Sequence, residues 1–383
     1  MKNILVIILA FSSIVLAQSF SSPTINPFNL SGAGGNSTPD FVDINGDGDY
    51  DCFAGLSNGF VAYYQNLGTN TSPNFDSWYY ATGFGIFNVG NYANPAFVDL
   101  DGDGDYDAYI GEVGYTIYYF RNSSSTNPNF TYINNNPFGI ANLGANVAPT
   151  FVDIDDDGDL DLFTGEFYGN IYFFRNIGSP TNPIFSGVFT NPFGLSNVGN
   201  YSVPAFCDID FDGDYDAFIG NQSGNILFFQ NNGTAEEPDF GIPITNPFGL
   251  LNVGTYAAPS FVDINDNGKE DLFVGTGNGI TYFFLNTTVV NVEENQNSSF
   301  VELKAYPNPV GSKLNISGRN VDLNNAELSV YSILGEKLNI SAARSGAYAS
   351  IDFSNLAPGV YILVIQNDVI NYTTKIIKGI RGF

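Results

Sequence analysis

Five aspartate-rich stretches set oxygen-bearing side chains at alternate residues: FVDINGDGDYD from Phe41, FVDLDGDGDYD from Phe97, FVDIDDDGDLD from Phe151, FCDIDFDGDYD from Phe206 and FVDINDNGKED from Phe261. Counted from the first aspartate, positions 1, 3, 5 and 9 carry a carboxylate or an amide, and position 6 is glycine every time. Such spacing suits a loop wrapped round a hard cation, with side-chain oxygens at 1, 3, 5 and 9, a sharp turn at the glycine and the backbone carbonyl of position 7. The side-chain ligands expected are Asp43, Asn45, Asp47 and Asp51; Asp99, Asp101, Asp103 and Asp107; Asp153, Asp155, Asp157 and Asp161; Asp208, Asp210, Asp212 and Asp216; and Asp263, Asn265, Asn267 and Asp271. Position 7 is Asp49, Asp105, Asp159, Asp214 and Lys269, and the lysine is tolerable only where the backbone carbonyl, not the side chain, is the ligand.

Electrostatics points the same way. The five windows hold 24 of the chain's 39 acids, and carboxylates this close repel one another unless a cation sits among them. The chain has no histidine and two cysteines, so the donor set is oxygen alone, which selects Ca²⁺ over transition metals. About five ions with a structural role are expected, each contributing roughly 1–2 kcal/mol in millimolar calcium.

Lack of histidine also removes Ser-His-Asp and Cys-His nucleophile systems. Glu112 and Glu166 stand at matching places in neighbouring repeats, where the others have Leu56, Asn221 and Thr276. Two such carboxylates are what a glycosidase would need; that is the runner-up reading, and no catalytic residue is assigned. Recognition residues are a better match to the pattern. Tyr92, Tyr201 and Tyr256 each follow a Val-Gly-(Asn/Thr) turn, and aromatic rings beside amides stack on sugars. Trp78, flanked by Tyr79 and Tyr80, is a second candidate. For all four, packing between repeats is the plain alternative. A nucleic-acid partner is excluded by the net charge of −27, with only Arg121, Arg175 and Lys269 as bases between residues 18 and 300. Cys52 and Cys207 fall at different places in different repeats and read as core thiols rather than a disulfide.

The elements that carry these loops repeat with them, at spacings of 56, 54, 55 and 55 residues. Each unit has four short apolar runs separated by Gly, Asn, Asp and Pro turns, the pattern of a four-stranded antiparallel sheet. One such sheet cannot bury both faces, so five are expected to pack round an axis as an all-β, five-bladed propeller over residues 18–287. Ile25-Asn26-Pro27-Phe28 repeats the closing segment of a unit but precedes the first acidic loop, while the fifth unit stops at Phe284-Leu285-Asn286. The N-terminal segment is therefore expected to complete the last sheet and leave no open edge. Residues 1–17 read as a signal peptide, cleaved near Ala17, residues 288–300 as a linker and residues 301–383 as a small β-sandwich; no other stretch is long and apolar enough to span a bilayer.

With its acidic loop recurring five times, the region from about 24 to 287 resembles the FG-GAP/VCBS repeats of integrin alpha-chain propellers and bacterial surface proteins. The resemblance implies a calcium-stabilised, non-enzymatic interaction scaffold. Farther on, Tyr306-Pro307-Asn308-Pro309, Val330-Tyr331-Ser332-Ile333-Leu334-Gly335, Leu356-Ala357-Pro358-Gly359-Val360-Tyr361 and Lys375-Ile376-Ile377-Lys378-Gly379 resemble a type IX secretion sorting domain. That implies export across a Gram-negative outer membrane, with the secretion machinery as partner through residues 301–383 and a released or surface-attached product. The function expected is a calcium-stabilised binding or adhesion module for an extracellular glycan or protein, with a purely structural surface protein as a third reading.

Overall fold

The computed structural model describes residues 18–142, 144–288 and 302–378 except 307–309, 311, 320–322, 333–336, 339 and 367–370. The expected signal peptide and nearly all of the expected linker lie outside the described residues. Two compact units result, one from the repeats and one from the C-terminal region.

The repeat unit holds five four-stranded antiparallel sheets. Each begins with an inner strand, in order Thr38–Val42, Asn94–Val98, Ala148–Val152, Val203–Cys207 and Ala258–Val262. Every inner strand has proline second, from Pro39 to Pro259. On an edge strand this removes an N–H that no partner would meet. The second strands, such as Asp51–Gly55 and Asp161–Gly165, are buried at every residue. Their aromatic side chains pack on the next sheet: Phe53 lies 4.1 Å from Phe97, Phe163 4.6 Å from Phe206, and Phe218 4.9 Å from Phe261, ring centre to ring centre. Phe41 of the first sheet in turn lies 4.2 Å from Phe273 of the fifth.

Closure follows the expected route. Thr24 pairs with Phe283 and Ile25 with Tyr282, making the N-terminal segment the outer strand of the fifth sheet. Asn26 adds a bond from its N–H to the Thr281 carbonyl at 2.7 Å and accepts the Thr281 N–H on its side chain at 3.0 Å. In three other sheets Asn136, Asn191 and Asn246 accept the N–H of Ile117, Ile171 and Ile226 in the same way.

The C-terminal unit is two four-stranded sheets. One is ordered Glu302–Tyr306, Lys313–Arg319, Tyr348–Asp352, Ala342–Ser345, and the other Lys337–Leu338, Glu327–Ser332, Gly359–Gln366, Asn371–Lys378. Leu314, Ile316, Val330, Ile351, Phe353, Leu363, Ile365 and Ile376 form its core. Apolar runs at 314–316, 328–333, 348–353, 360–365 and 372–377 predict five strands, and a strand lies on each; Glu302–Tyr306 and the short Lys337–Leu338 and Ala342–Ser345 are additions.

Candidate functional site

Each acidic loop joins an inner strand to the second strand of its sheet, and its first aspartate organises it. Asp43 accepts the N–H of Gly46 at 2.8 Å on one oxygen and of Gly48 at 3.0 Å on the other. Asp99, Asp153, Asp208 and Asp263 likewise accept the N–H of the position-6 glycine, at 2.7–3.1 Å. Position 9 anchors the far end: one oxygen of Asp51, Asp107, Asp161, Asp216 and Asp271 accepts the N–H of Asn66, Asn122, Asn176, Asn231 and Asn286, at 2.6–2.7 Å. These five buried asparagines were not singled out from the sequence. Their signal was available, since each follows position 9 by fifteen residues.

The donor sets differ between loops. Asp99, Asp101 and Asp103; Asp153, Asp155 and Asp157; and Asp208, Asp210 and Asp212 each bring carboxylate oxygens within 4.8 Å of one another, a geometry suited to one metal ion. In the third and fourth loops the test is sharper. Asp155 Oδ1, Asp159 Oδ1 and Asp161 Oδ2, and Asp210 Oδ1, Asp214 Oδ1 and Asp216 Oδ2, are buried without any hydrogen-bond partner. Six orphaned carboxylate oxygens at positions 3, 7 and 9 of two loops are what a bound cation would satisfy, because a buried anion without a partner is costly. Burial pushes Asp161 and Asp216 up to about 8 and Asp214 to about 6. The position-7 side chains Asp159 and Asp214 are buried in the loop, where the sequence reading placed only the backbone carbonyl.

In the fifth loop, Lys269 turns its Nζ away to the Thr288 carbonyl, 2.7 Å distant. Cations already partner two loops: Arg121 lies 2.8 Å from Asp101 and 2.9 Å from Asp103, and Arg175 lies 2.6 Å from Asp155. In the first and fifth loops Asn45 and Asn265 donate their amides to Asp51 and Asp271, and an ion there would require each amide to present its oxygen instead.

At the opposite end of the inner strands a second constellation forms. Asn36, Tyr92, Asn146, Tyr201 and Tyr256 occupy one equivalent position and all five adopt the left-handed conformation, with φ of 54–59°. Each donates its backbone N–H to the hairpin of the preceding sheet: Tyr92 to Ser57, Asn146 to Val113, Tyr201 to Phe167, Tyr256 to Gln222, and Asn36 back to Gly277 of the fifth sheet. Holding a tyrosine at positive φ costs on the order of 1–2 kcal/mol, and those bonds over-determine it. The five line one opening. The Asn146 side chain is buried there with its Oδ1 unpartnered.

The three tyrosines selected from the sequence thus share one site, and the two asparagines of the ring are added to it. A run of rings leads outward from it: Tyr256 to Tyr201 at 4.8 Å, Tyr201 to Phe167 at 4.6 Å, and Phe167 to the exposed Tyr168 at 5.0 Å. Gln222 Nε2 donates to the Tyr256 hydroxyl at 3.1 Å. Trp78 is elsewhere, packed edge-on to Tyr80 at 5.4 Å on the core between the first and fifth sheets.

Glu112 and Glu166 close hairpin turns. Glu166 Oε1 accepts the Asn170 N–H and amide, each at 2.9 Å, and Oε2 accepts the Tyr168 N–H at 2.7 Å. Glu112 accepts from the backbone of Gly114 and Thr116, and burial raises it. Asn221 does the same work for Ser223 and Asn225, which explains why a carboxylate and an amide interchange here. Cys52 and Cys207 are free and buried, as expected.

Comparison with known families identifies two segments. Residues 153–219 match the FG-GAP-like repeat. Residues 304–379 match the secretion system C-terminal sorting domain, of the type IX kind. The chain is accordingly a secreted or surface repeat protein, and neither family is enzymatic. No curated protein matches the chain. Among solved structures, BBS1N in complex with ARL6DN aligns at 9% identity and a TM-score of 0.34, over 89% of this chain and 98% of that one. An Agrocybe aegerita lectin that recognises non-reducing terminal N-acetylglucosamine aligns at 17% identity and a TM-score of 0.36, over 90% and 88%. Saccharomyces cerevisiae Sqt1 aligns at 8% and 0.32, over 91% and 98%. Scores this low bear on neither blade count nor ligand. Among the described residues, no helix is long and apolar enough to cross a membrane.

Proposed function

We propose that the protein is a binding or adhesion module of the outer cell surface: a five-bladed propeller over residues 18–287, stabilised by about five calcium ions, that takes an extracellular glycan or protein at its tyrosine-lined mouth. A signal peptide of residues 1–17 starts export, and the type IX machinery completes it through residues 301–383. The observation that carries the binding reading is the Asn146 Oδ1, buried and unpartnered in a ring of three tyrosines held at positive φ. Strain of this kind at one equivalent position, with an acceptor left unmet, supports a recognition surface.

Aromatic faces beside amides favour a sugar, whose C–H face stacks while a hydroxyl donates to the amide. Both glutamates serve their own turns, and that argues against the glycosidase reading. The test is binding of the mature chain to a panel of polysaccharides and matrix proteins in calcium, repeated after chelation. Tyr201→Ala is expected to weaken binding about tenfold, the effect of roughly 1.4 kcal/mol. Tyr92→Gly should weaken it without loss of melting temperature, since glycine relieves the left-handed strain. Equal binding by wild type and both variants would remove the mouth from the site.

A further inference from the structure

Below the mouth the five inner strands line a chamber of about 200 Å³. The neck between them, at the tyrosine and asparagine ring, has a volume of about 20 Å³, room for one water. Thr38, Asn94, Val203 and Ala258 line both spaces, so the neck adjoins the chamber. Among the residues lining the chamber, Asp40 is the one ionisable side chain. Its equivalents in the other inner strands are Ala96, Thr150, Ala205 and Ser260, which put two hydroxyls at the same level. One Asp40 oxygen accepts the Phe97 N–H of the next inner strand at 2.7 Å. No basic side chain lines the chamber, although the surroundings desolvate the carboxylate strongly.

We infer that the chamber is a binding site for one small monovalent cation, held by the Asp40 carboxylate with the Thr150 and Ser260 hydroxyls beside it. A single carboxylate supplies one compensating charge, whereas calcium takes six to eight oxygens and usually several carboxylates. Alternate carbonyls on the unpaired edge of an inner strand supply further hard donors. Choline, whose charge is wrapped in three methyl groups and which has no N–H to donate, serves as the non-coordinating reference cation. This site is independent of the acidic loops and of whatever binds the mouth.

The experiment is thermal melting of the mature chain in saturating calcium at constant ionic strength, with choline replaced stepwise by sodium, potassium or rubidium. Wild type is expected to gain about 5 °C at hundredfold saturation by the preferred ion. Asp40→Asn should show no ion-specific gain while keeping the calcium-dependent gain, which reports that it folds. Ser260→Ala is a milder variant and should shift the midpoint of the ion response to higher concentration. A rubidium-soaked crystal should carry an anomalous peak beside Asp40. A wild-type melt identical in all four salts, an Asp40→Asn variant that keeps the increment, or a chamber holding water only would each overturn the inference.

Discussion

Asp40 and the mouth tyrosines are the residues on which the surrounding structure imposes most. Burial raises Asp40 to about 7, against the two backbone N–H groups, of Phe97 and Phe41, that favour its charged form. The Cys52 thiol of the same sheet is likewise held neutral by burial. Because the folded-state value exceeds the unfolded value of about 4, the folded chain holds this proton more tightly. Its contribution to stability is therefore complete below pH 4 and is lost as pH rises towards 7. In choline buffer with saturating calcium, Asp40→Asn should equal or trail wild type at pH 5 and exceed it above pH 7. Denaturant melts at pH 5 and pH 8 check this, and a gap between the two proteins that does not change with pH would refute it. The tyrosine choice was legible from position alone. Asn146 stands at the same repeat position, but nothing in the sequence shows that its carbonyl oxygen is buried and unmet.

For the elements, the telling case is the shortest strand. Thr24–Ile25 has both residues exposed, so it contributes little by burial; its worth lies in covering the edge of the fifth sheet and bringing Asn26 onto Thr281. Leu30 and the partly buried Phe28 follow it into the core between the first and fifth sheets. A mature chain beginning at Gly32 should lose several kcal/mol and melt at lower temperature, with faster hydrogen exchange at Thr281–Phe284. Unchanged exchange in that strand would mean that the edge stands without its cover. The acidic loops belong to this scale as well. Their carboxylate spacing was readable, and so was the fifteen-residue offset from position 9 to an asparagine, but the fold of the sheet decides that the two meet.

Across the whole repeat unit, cohesion is circular. Backbone bonds run from each mouth residue to the hairpin before it, and the bond from Asn36 to Gly277 closes the circle. With loops lying at the root of every sheet, removal of calcium is expected to act on the unit as one. Chelation should lower the melting temperature by well over 10 °C, given about 1–2 kcal/mol for each of five loops. Asp216→Ala should take away only its own share and leave calcium response from the other loops. A melting temperature indifferent to chelator would sink the structural role of the metal.

The order of apolar runs, the fivefold acidic spacing and the displaced N-terminal segment were enough, by themselves, to determine sheets of four strands, the loops at their ends and the pairing that covers the last edge. Local hydrogen bonding and period-2 burial act over a few residues, and their marks survive in the chain order. Only the tertiary structure decided that Asn36 and Asn146 join three tyrosines, that Glu112 and Glu166 cap turns, that Trp78 lies apart, and that Asp40 lines the chamber between the inner strands. Those relations join residues some 55 positions apart through packing round a common axis, and no local pattern encodes which side chains meet there.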